Sequence, residues 1–293
     1  MSQAVLFDTP GPRARRNILV ANVVGGLVAA AIVALVLWKL GQEGQLEASR
    51  WTSLFTSRAW TNFFLPGLQN TIVAALYSVV LAIVFGLVFG LGRLAPLAPV
   101  RWVAGIVVEF FRAVPVLIMM IALWIGLGYA DVLPPADLPL VAVVVALTLY
   151  NGSIIAELVR SGVFGLPKGQ REAAAAIGMT HNQSLRVVEL PQALIAMLPS
   201  LMSQFVVILK DSALGSIITF NEFLQLSRQF GAAEGNMLQA LVVCAVVFIL
   251  INWLLTKLAD RVARRLSRRT AASTKPQLIA DNTGAAGGAV AAK

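Results

Sequence analysis

The sequence "GQREAAAAIGMTHNQSLRVVELPQ" occupies residues 169–192 and differs from the apolar chain on either side of it. Its first half, residues 170–177, combines Ala with Gln, Arg and Glu, which are strong helix formers. Gly178 then supplies a stop, because glycine readily adopts the left-handed conformation that ends many helices. The stretch predicts a short helix, a polar turn and a second helical run that ends at Pro191.

The whole chain has the composition of a membrane protein. Of its 293 residues, 58% are hydrophobic and 13% are charged, whereas soluble domains average about 25% charged residues. The formal net charge of +9 indicates basic loops on the inner side of a membrane rather than nucleic-acid binding. The single cysteine, Cys244, cannot form an internal disulfide and leaves the redox compartment open.

Six apolar stretches reach the roughly 20 residues that a helix needs to cross the hydrocarbon core. The predicted fold is therefore an all-α polytopic membrane protein. The spans are 18–38, 67–91, 103–127, 138–160, 195–218 and 237–257. The apolar run of the first span is longer than that of a signal peptide and no cleavage site follows it, so we expect a retained anchor.

Six spans place both termini on one side of the membrane, and the basic residues select that side. Most of the 23 Lys and Arg residues fall in segments on the same side as the termini. The opposite segments hold only Lys39, Arg50, Arg58 and Arg228. Because Lys and Arg concentrate in cytoplasmic loops, we expect both termini and residues 169–192 in the cytoplasm.

Three segments outside the spans have a character of their own. Residues 40–65 are rich in Trp and Phe and are expected to lie at the membrane surface as an interfacial helix. Residues 131–139, "DVLPPADLP", predict a stiff outer turn. The chain after Arg269 is poor in large apolar residues and predicts a disordered tail.

These features predict one transmembrane domain with additions at both ends. The parts are a cytoplasmic segment, an added span with its outer segment, the transmembrane domain with its cytoplasmic loop, and a basic tail. They cover residues 1–17, 18–65, 66–258 with the loop at about 165–192, and 259–293.

Residues 169–192 resemble the EAA loop of ABC-transporter permease subunits. The match consists of Glu172-Ala173-Ala174, three residues, Gly178, nine residues and then "VELP" at 188–191, where the family usually begins with Ile. Further segments are similar, in order, to the polar amino-acid branch of that family. They are 67–94, 110–117 ("FFRAVPVL"), 154–174, 190–218 and 220–226 ("FNEFLQL"). The resemblance covers residues 66–258 and leaves out the first span and the tail.

The resemblance implies the type I ABC importer permease fold, with a five-span core and one added N-terminal span. It implies a permease subunit of the bacterial cytoplasmic membrane that imports a polar amino acid of the glutamate, glutamine, histidine or arginine type, with glutamate favoured. The loop would be the coupling helix that docks in an ATP-binding subunit. The residues implied in coupling are Glu172, Ala173, Ala174, Gly178, Leu190 and Pro191.

The resemblance also implies partners. They are two ATP-binding subunits that carry ATP and Mg²⁺, a second permease chain, identical or different, an extracytoplasmic solute-binding protein and the lipid bilayer. This chain has no G-x-x-x-x-G-K-[ST] phosphate loop, and "GLPKGQ" lacks the required spacing. We therefore expect neither an enzyme nor a bound cofactor. The lone His181 has no second ligand nearby in the sequence, so no metal site is expected.

Ionisable residues inside spans are costly and usually face a partner or a cavity. Glu109 and Arg112 are three residues apart and can pair on one helix face, and Glu157 and Arg160 repeat that spacing. These four are candidates for structural ion pairs.

Lys210 and Asp211 are adjacent, so they diverge by about 100° on a helix and cannot satisfy each other well. A zwitterionic amino acid needs both signs of charge presented to it. Arg112, Lys210 and Asp211 are therefore candidates for the substrate path. Structural pairing between helices or subunits is the alternative.

Two other functions compete with an ABC permease. A secondary transporter often has repeated halves, which this sequence lacks, and it does not explain the ordered loop. A membrane channel or scaffold needs no loop of this pattern. Dependence of uptake on ATP rather than on an ion gradient discriminates between these classes.

Overall fold

The structure is a computed structural model that describes residues 11–273, and these residues form helices joined by short turns. Five helices are long and apolar enough to cross a membrane, or six crossings exist if one bent pair counts as a span. The α-helices of five residues or more are α1 Pro12–Gln42, α2 Ala48–Thr52, α4 Leu65–Arg93, α5 Ala98–Ala113, α6 Val116–Ala130, α7 Leu138–Phe164, α8 Lys168–Ala176, α10 Leu190–Asp211, α11 Phe223–Glu234 and α12 Met237–Ser273. Two single turns complete the numbering, α3 Ser57–Ala59 and α9 His181–Gln183.

The described chain divides into two compact units. One comprises residues 11–67 with 223–245, and the other comprises residues 68–222 with 246–273. In the first unit, α1 has no buried residue. An apolar helix with this exposure is suited to contact with lipid or with another chain.

The outer segment of the first unit is not the single interfacial helix expected over residues 40–65. It forms α2, a 3₁₀ turn, α3 and a π-helical turn at Trp60–Phe64 that leads into α4. The ring of Phe64 packs at 5.4 Å from that of Phe230 and at 6.0 Å from that of Phe223, both on α11. The buried amide of Asn236 donates to the backbone carbonyl of Arg50 at 3.3 Å. The segment therefore packs against α11 as a series of short turns and not as one straight helix.

The second unit has its core along α7. The buried residues of this helix recur on several sides, from Leu138 through Val163. Gly86 and Gly90 of α4 face it so closely that a Cβ atom at either glycine would lie within 3 Å of Ile155 or Val159. Small residues allow helix backbones to approach in a membrane, so this pair of glycines brings α4 and α7 together.

The third predicted span, 103–127, is broken rather than continuous. It forms α5 and α6, which are bent by 98° at their junction. Val114 lies there in an extended conformation, with φ −82° and ψ 125°, because Pro115 disfavours the helical region for the preceding residue. The prediction of one helix over this range is therefore wrong.

The sequence indicated that a helical run ends at Pro191, but the structure shows no helix end there. The chain is helical from His181 to Asp211, and Pro191 lies in the first turn of α10. A π-helical turn at Ser184–Glu189 comes directly before it. The wider turn makes room for a ring that would clash with the preceding turn of a regular helix.

The C-terminal helix α12 extends to Ser273, so residues 270–273 are helical, although disorder was predicted for everything after Arg269. The rest of the predicted tail, residues 274–293, and residues 1–10 of the predicted N-terminal segment lie outside the described residues.

Candidate functional site

The opening stretch forms a short exposed helix, α8, with the end that its glycine predicts. Gly178 has φ 79°, and its N–H donates to the carbonyl of Ala175 at 3.0 Å. The N–H of Met179 donates to the carbonyl of Ala174 at 3.1 Å, which completes a Schellman cap. Nothing lies within 4 Å of the position of a Cβ at Gly178. The backbone conformation alone, and not a lack of space, requires glycine here.

The turn after Gly178 carries its own cap. The N–H of Thr180 donates to Oε1 of Gln183 at 2.8 Å, and the N–H of Gln183 donates to the Thr180 hydroxyl at 3.4 Å. This capping box starts the helical run that becomes α10. The lone His181 is exposed within it.

Two polar contacts join α8 to the base of α10. Nε and Nη2 of Arg171 donate to Oε2 of Glu189 at 3.1 and 2.7 Å. The hydroxyl of Ser184 donates to Oε1 of the same carboxylate at 2.8 Å. The amide of Gln192 donates to Oε1 of Gln170 at 3.0 Å. The two contacts between the helices join residues 18 and 22 positions apart and follow no helical spacing, so the sequence alone did not indicate them.

The predicted coupling residues fall on both parts of this segment. Glu172 and Ala173 are exposed on α8, whereas Ala174 is buried. Leu190 is partly buried and Pro191 is exposed at the start of α10. The structure therefore places the two halves of the motif on two helices, which the contact between Arg171 and Glu189 joins.

The segment also exposes apolar side chains and encloses a cleft. Ile177 and Val187 are 76% and 64% exposed. A cleft of about 260 Å³ lies between the end of α7, α8 and Glu189. Its lining includes the apolar Val163 and Pro167 and the charged Lys168. A surface of this kind is suited to a protein partner.

The predicted intramembrane ion pairs belong to a larger cluster. Arg112 lies 3.4 Å from Glu109, and Arg160 lies 2.6 Å from Glu157. Arg93, at the end of α4, joins the two pairs, with contacts of 3.1 Å to Glu109 and 2.8 Å to Glu157. The sequence placed Arg93 in an inner loop and did not indicate that it links the two ion pairs.

Arg112 is the member of the cluster that was also a candidate for the substrate path. Its guanidinium lies 3.8 Å from Glu157 in addition to its contact with Glu109. These are the longest ion-pair contacts in the cluster, and the side chain is partly accessible. The geometry gives Arg112 structural contacts with Glu109 and Glu157.

The other two path candidates end α10. Lys210 is exposed and Asp211 is partly buried. Within residues 11–273 neither side chain takes part in an ion pair. The structure does not bring them to the cluster around Arg93. In the same range, no group of three or more His, Cys, Asp or Glu residues is arranged to hold a metal ion.

Comparisons with known proteins identify the class. The family of binding-protein-dependent transport system inner membrane components matches residues 82–271. The glutamate transport system permease protein GluD of Corynebacterium glutamicum is 46% identical over 227 residues, which cover 78% of this chain and 83% of that protein. The glutamate/aspartate import permease protein GltK of Escherichia coli O157:H7 is 30% identical over 222 residues, covering 73% and 97%.

Solved structures agree. An amino acid ABC transporter crystallised with histidines matches with a TM-score of 0.65 and 29% identity, covering 70% of this chain and 95% of that one. The MetNI methionine ABC transporter, at 21% identity, has a TM-score of 0.61 and supports the fold.

The fold and these likenesses define a membrane permease of the ABC importer class. The chain belongs to the family of binding-protein-dependent transport system inner membrane components. It is an inner-membrane protein with the helical permease fold that its sequence predicted.

Proposed function

We propose that this chain is the permease subunit of an ATP-driven importer that moves glutamate, or a closely similar polar amino acid, into the cytoplasm. The observation that supports glutamate as the substrate is the 46% identity to a glutamate permease over most of both chains. A solute-binding protein delivers the amino acid from the outer side. A separate ATP-binding subunit, which holds ATP and Mg²⁺, supplies the energy, since this sequence has no phosphate loop.

The segment around α8 is the docking element for the ATP-binding subunit. Support comes from its exposed position, the cap at the C-terminal end of α8, the capping box of the turn that follows, and its exposed Ile177 and Val187. Glu172, Ala173 and Gly178 lie on the docking helix and its cap, and Leu190 and Pro191 connect it to α10.

The substrate path includes Arg112, Lys210 and Asp211. The partly accessible Arg112 and the absence of ion pairs at Lys210 and Asp211 within the described chain support this assignment. Together they offer both signs of charge, which a zwitterionic amino acid requires.

Both termini and α8 lie in the cytoplasm in this proposal, because most Lys and Arg residues fall in the segments on that side. Single cysteines at Ala176 and Phe55, both exposed, test the orientation in intact cells. A membrane-impermeant maleimide should label Phe55→Cys and leave Ala176→Cys unlabelled. The reverse pattern would invert the topology.

Reconstitution tests the transport activity. Proteoliposomes should contain this permease with its ATP-binding subunit, and the binding protein should be added outside. We expect uptake of radiolabelled glutamate only with ATP enclosed, no loss of uptake on adding an ionophore, and weaker competition by arginine or histidine than by glutamate. Uptake without ATP that collapses with the ionophore would indicate a secondary transporter instead. ATP-driven uptake that arginine inhibits more strongly than glutamate does would contradict glutamate as the substrate.

A further inference from the structure

Little apolar contact holds α8 in place. Ala174 is its only buried residue, and the other eight positions from Lys168 to Ala176 are exposed or partly exposed. Burial of apolar surface normally fixes the orientation of a short helix on its neighbours. The orientation of α8 therefore depends heavily on its polar contacts.

The strongest polar contact uses a carboxylate whose two oxygens are both occupied. Glu189 is 2% exposed and accepts from Arg171 on Oε2 and from Ser184 on Oε1. A buried carboxylate needs such partners, because burial without them is costly. The arginine comes from α8, while the carboxylate comes from the π-helical turn that continues into α10.

The geometry points to Arg171 and Glu189 as positioning residues that hold α8 rigidly to α10, so that displacement of α8 by the ATP-binding subunit moves the membrane helix. This inference rests on the proposed function of α8 as the docking element. It assigns the transmission of force to an ion pair outside the residues that the EAA resemblance implied in coupling.

Continuity of the helix makes the ion pair an effective link. From Ser184 the chain is helical without a break to Asp211, through the π-turn and α10. The amide contact between Gln170 and Gln192 lies one turn further along the same junction. Two contacts at different positions along the junction resist rotation of α8 against α10 as well as separation of the two helices.

The test measures coupling rather than uptake alone. The ratio of glutamate transported to ATP hydrolysed is determined in proteoliposomes that hold the full complex with its binding protein. The variants are Arg171→Met, Arg171→Lys and the double variant Arg171→Met with Glu189→Leu. Arg101→Met is the matched control, because Arg101 is an exposed arginine outside the docking segment and makes no ion pair in the described chain.

We expect Arg171→Met to lower the ratio by roughly fivefold or more, the smallest effect typical of allosteric coupling, while binding-protein-stimulated ATP hydrolysis persists. Arg171→Lys should recover part of the ratio, because it retains the charge but not the planar fork. The double variant leaves no unpaired buried charge, so it should assemble normally and remain uncoupled. Arg101→Met should match the wild type.

An unchanged ratio in Arg171→Met would overturn the inference, and this includes a parallel loss of uptake and hydrolysis. Full recovery of the ratio in the double variant would overturn it as well, because the arginine would then only neutralise a buried charge. Loss of assembly in both Arg171 variants would also overturn it, by assigning the pair to folding. Failure of the wild-type complex to transport glutamate would instead count against the proposed function.

Discussion

The guanidinium of Arg93 lies 2.8 Å from the carboxylate of Glu157, so charge joins the end of α4 to α7. Both side chains are mostly buried, at 13% and 22% exposure. Arg93 also reaches Glu109 of α5 at 3.1 Å. One arginine thereby connects three helices of the second unit.

Arg93→Met should therefore destabilise the protein. Removing one partner leaves two carboxylates with less compensation, and we expect a loss of about 2 kcal/mol in the free energy of unfolding. Thermal unfolding of the purified protein in detergent measures the change. Arg101→Met is the control, since Arg101 is exposed and, within the described residues, its side chain donates to the carbonyl of Ala95 at 3.2 Å and makes no ion pair. Equal melting temperatures for both variants would show that the cluster contributes no stability.

The left-handed conformation of Gly178 predicts which residues can replace it. Because φ is 79° and there is space for a Cβ, Gly178→Val should strain the cap of α8, since β-branched residues rarely adopt this region. Gly178→Asn should retain most function, because Asn enters the left-handed region more easily. ATP-driven uptake is measured at equal amounts of membrane-inserted protein. If both variants transport equally, the cap is not important for coupling.

Lys210 and Asp211 provide a test of the substrate path. We expect Lys210→Ala and Asp211→Ala each to reduce uptake of glutamate while the permease still assembles with the ATP-binding subunit. Lys210 is exposed, Asp211 is partly buried, and neither takes part in an ion pair within residues 11–273. The measurement is initial uptake in proteoliposomes, with assembly checked by co-purification. Lys39→Ala is the control, because Lys39 is exposed and pairs with Glu43 at 3.2 Å. Normal uptake by both Lys210→Ala and Asp211→Ala would remove these residues from the path.

Local signals in the sequence predicted local structure well. The helix before Gly178 and its left-handed stop depend on neighbouring residues, so composition and a single glycine were sufficient. Five of the six predicted apolar spans were equally readable, because each crossing requires a long apolar run.

Prolines and distant contacts limited the prediction. At Val114-Pro115 the apolar composition continues across a break of 98°, so counting apolar residues did not reveal it. At Pro191 the helix continues because the preceding π-turn accommodates the ring, and propensity rules do not anticipate such a turn. Arg93 with Glu157 and Arg171 with Glu189 meet only after folding, so no spacing in the sequence indicated either contact.

The last prediction concerns the assembly. By family resemblance, ATP binding closes two ATP-binding subunits on each other, and each subunit needs a docking helix to grip. The described chain supplies one such helix, α8, over residues 168–176. We therefore expect the purified complex to contain two permease chains and two ATP-binding subunits. Native mass spectrometry of the detergent-solubilised complex measures this directly. Two different permease chains in that complex would decide for a heterodimer and two identical ones for a homodimer, whereas one permease chain with two ATP-binding subunits would contradict the architecture.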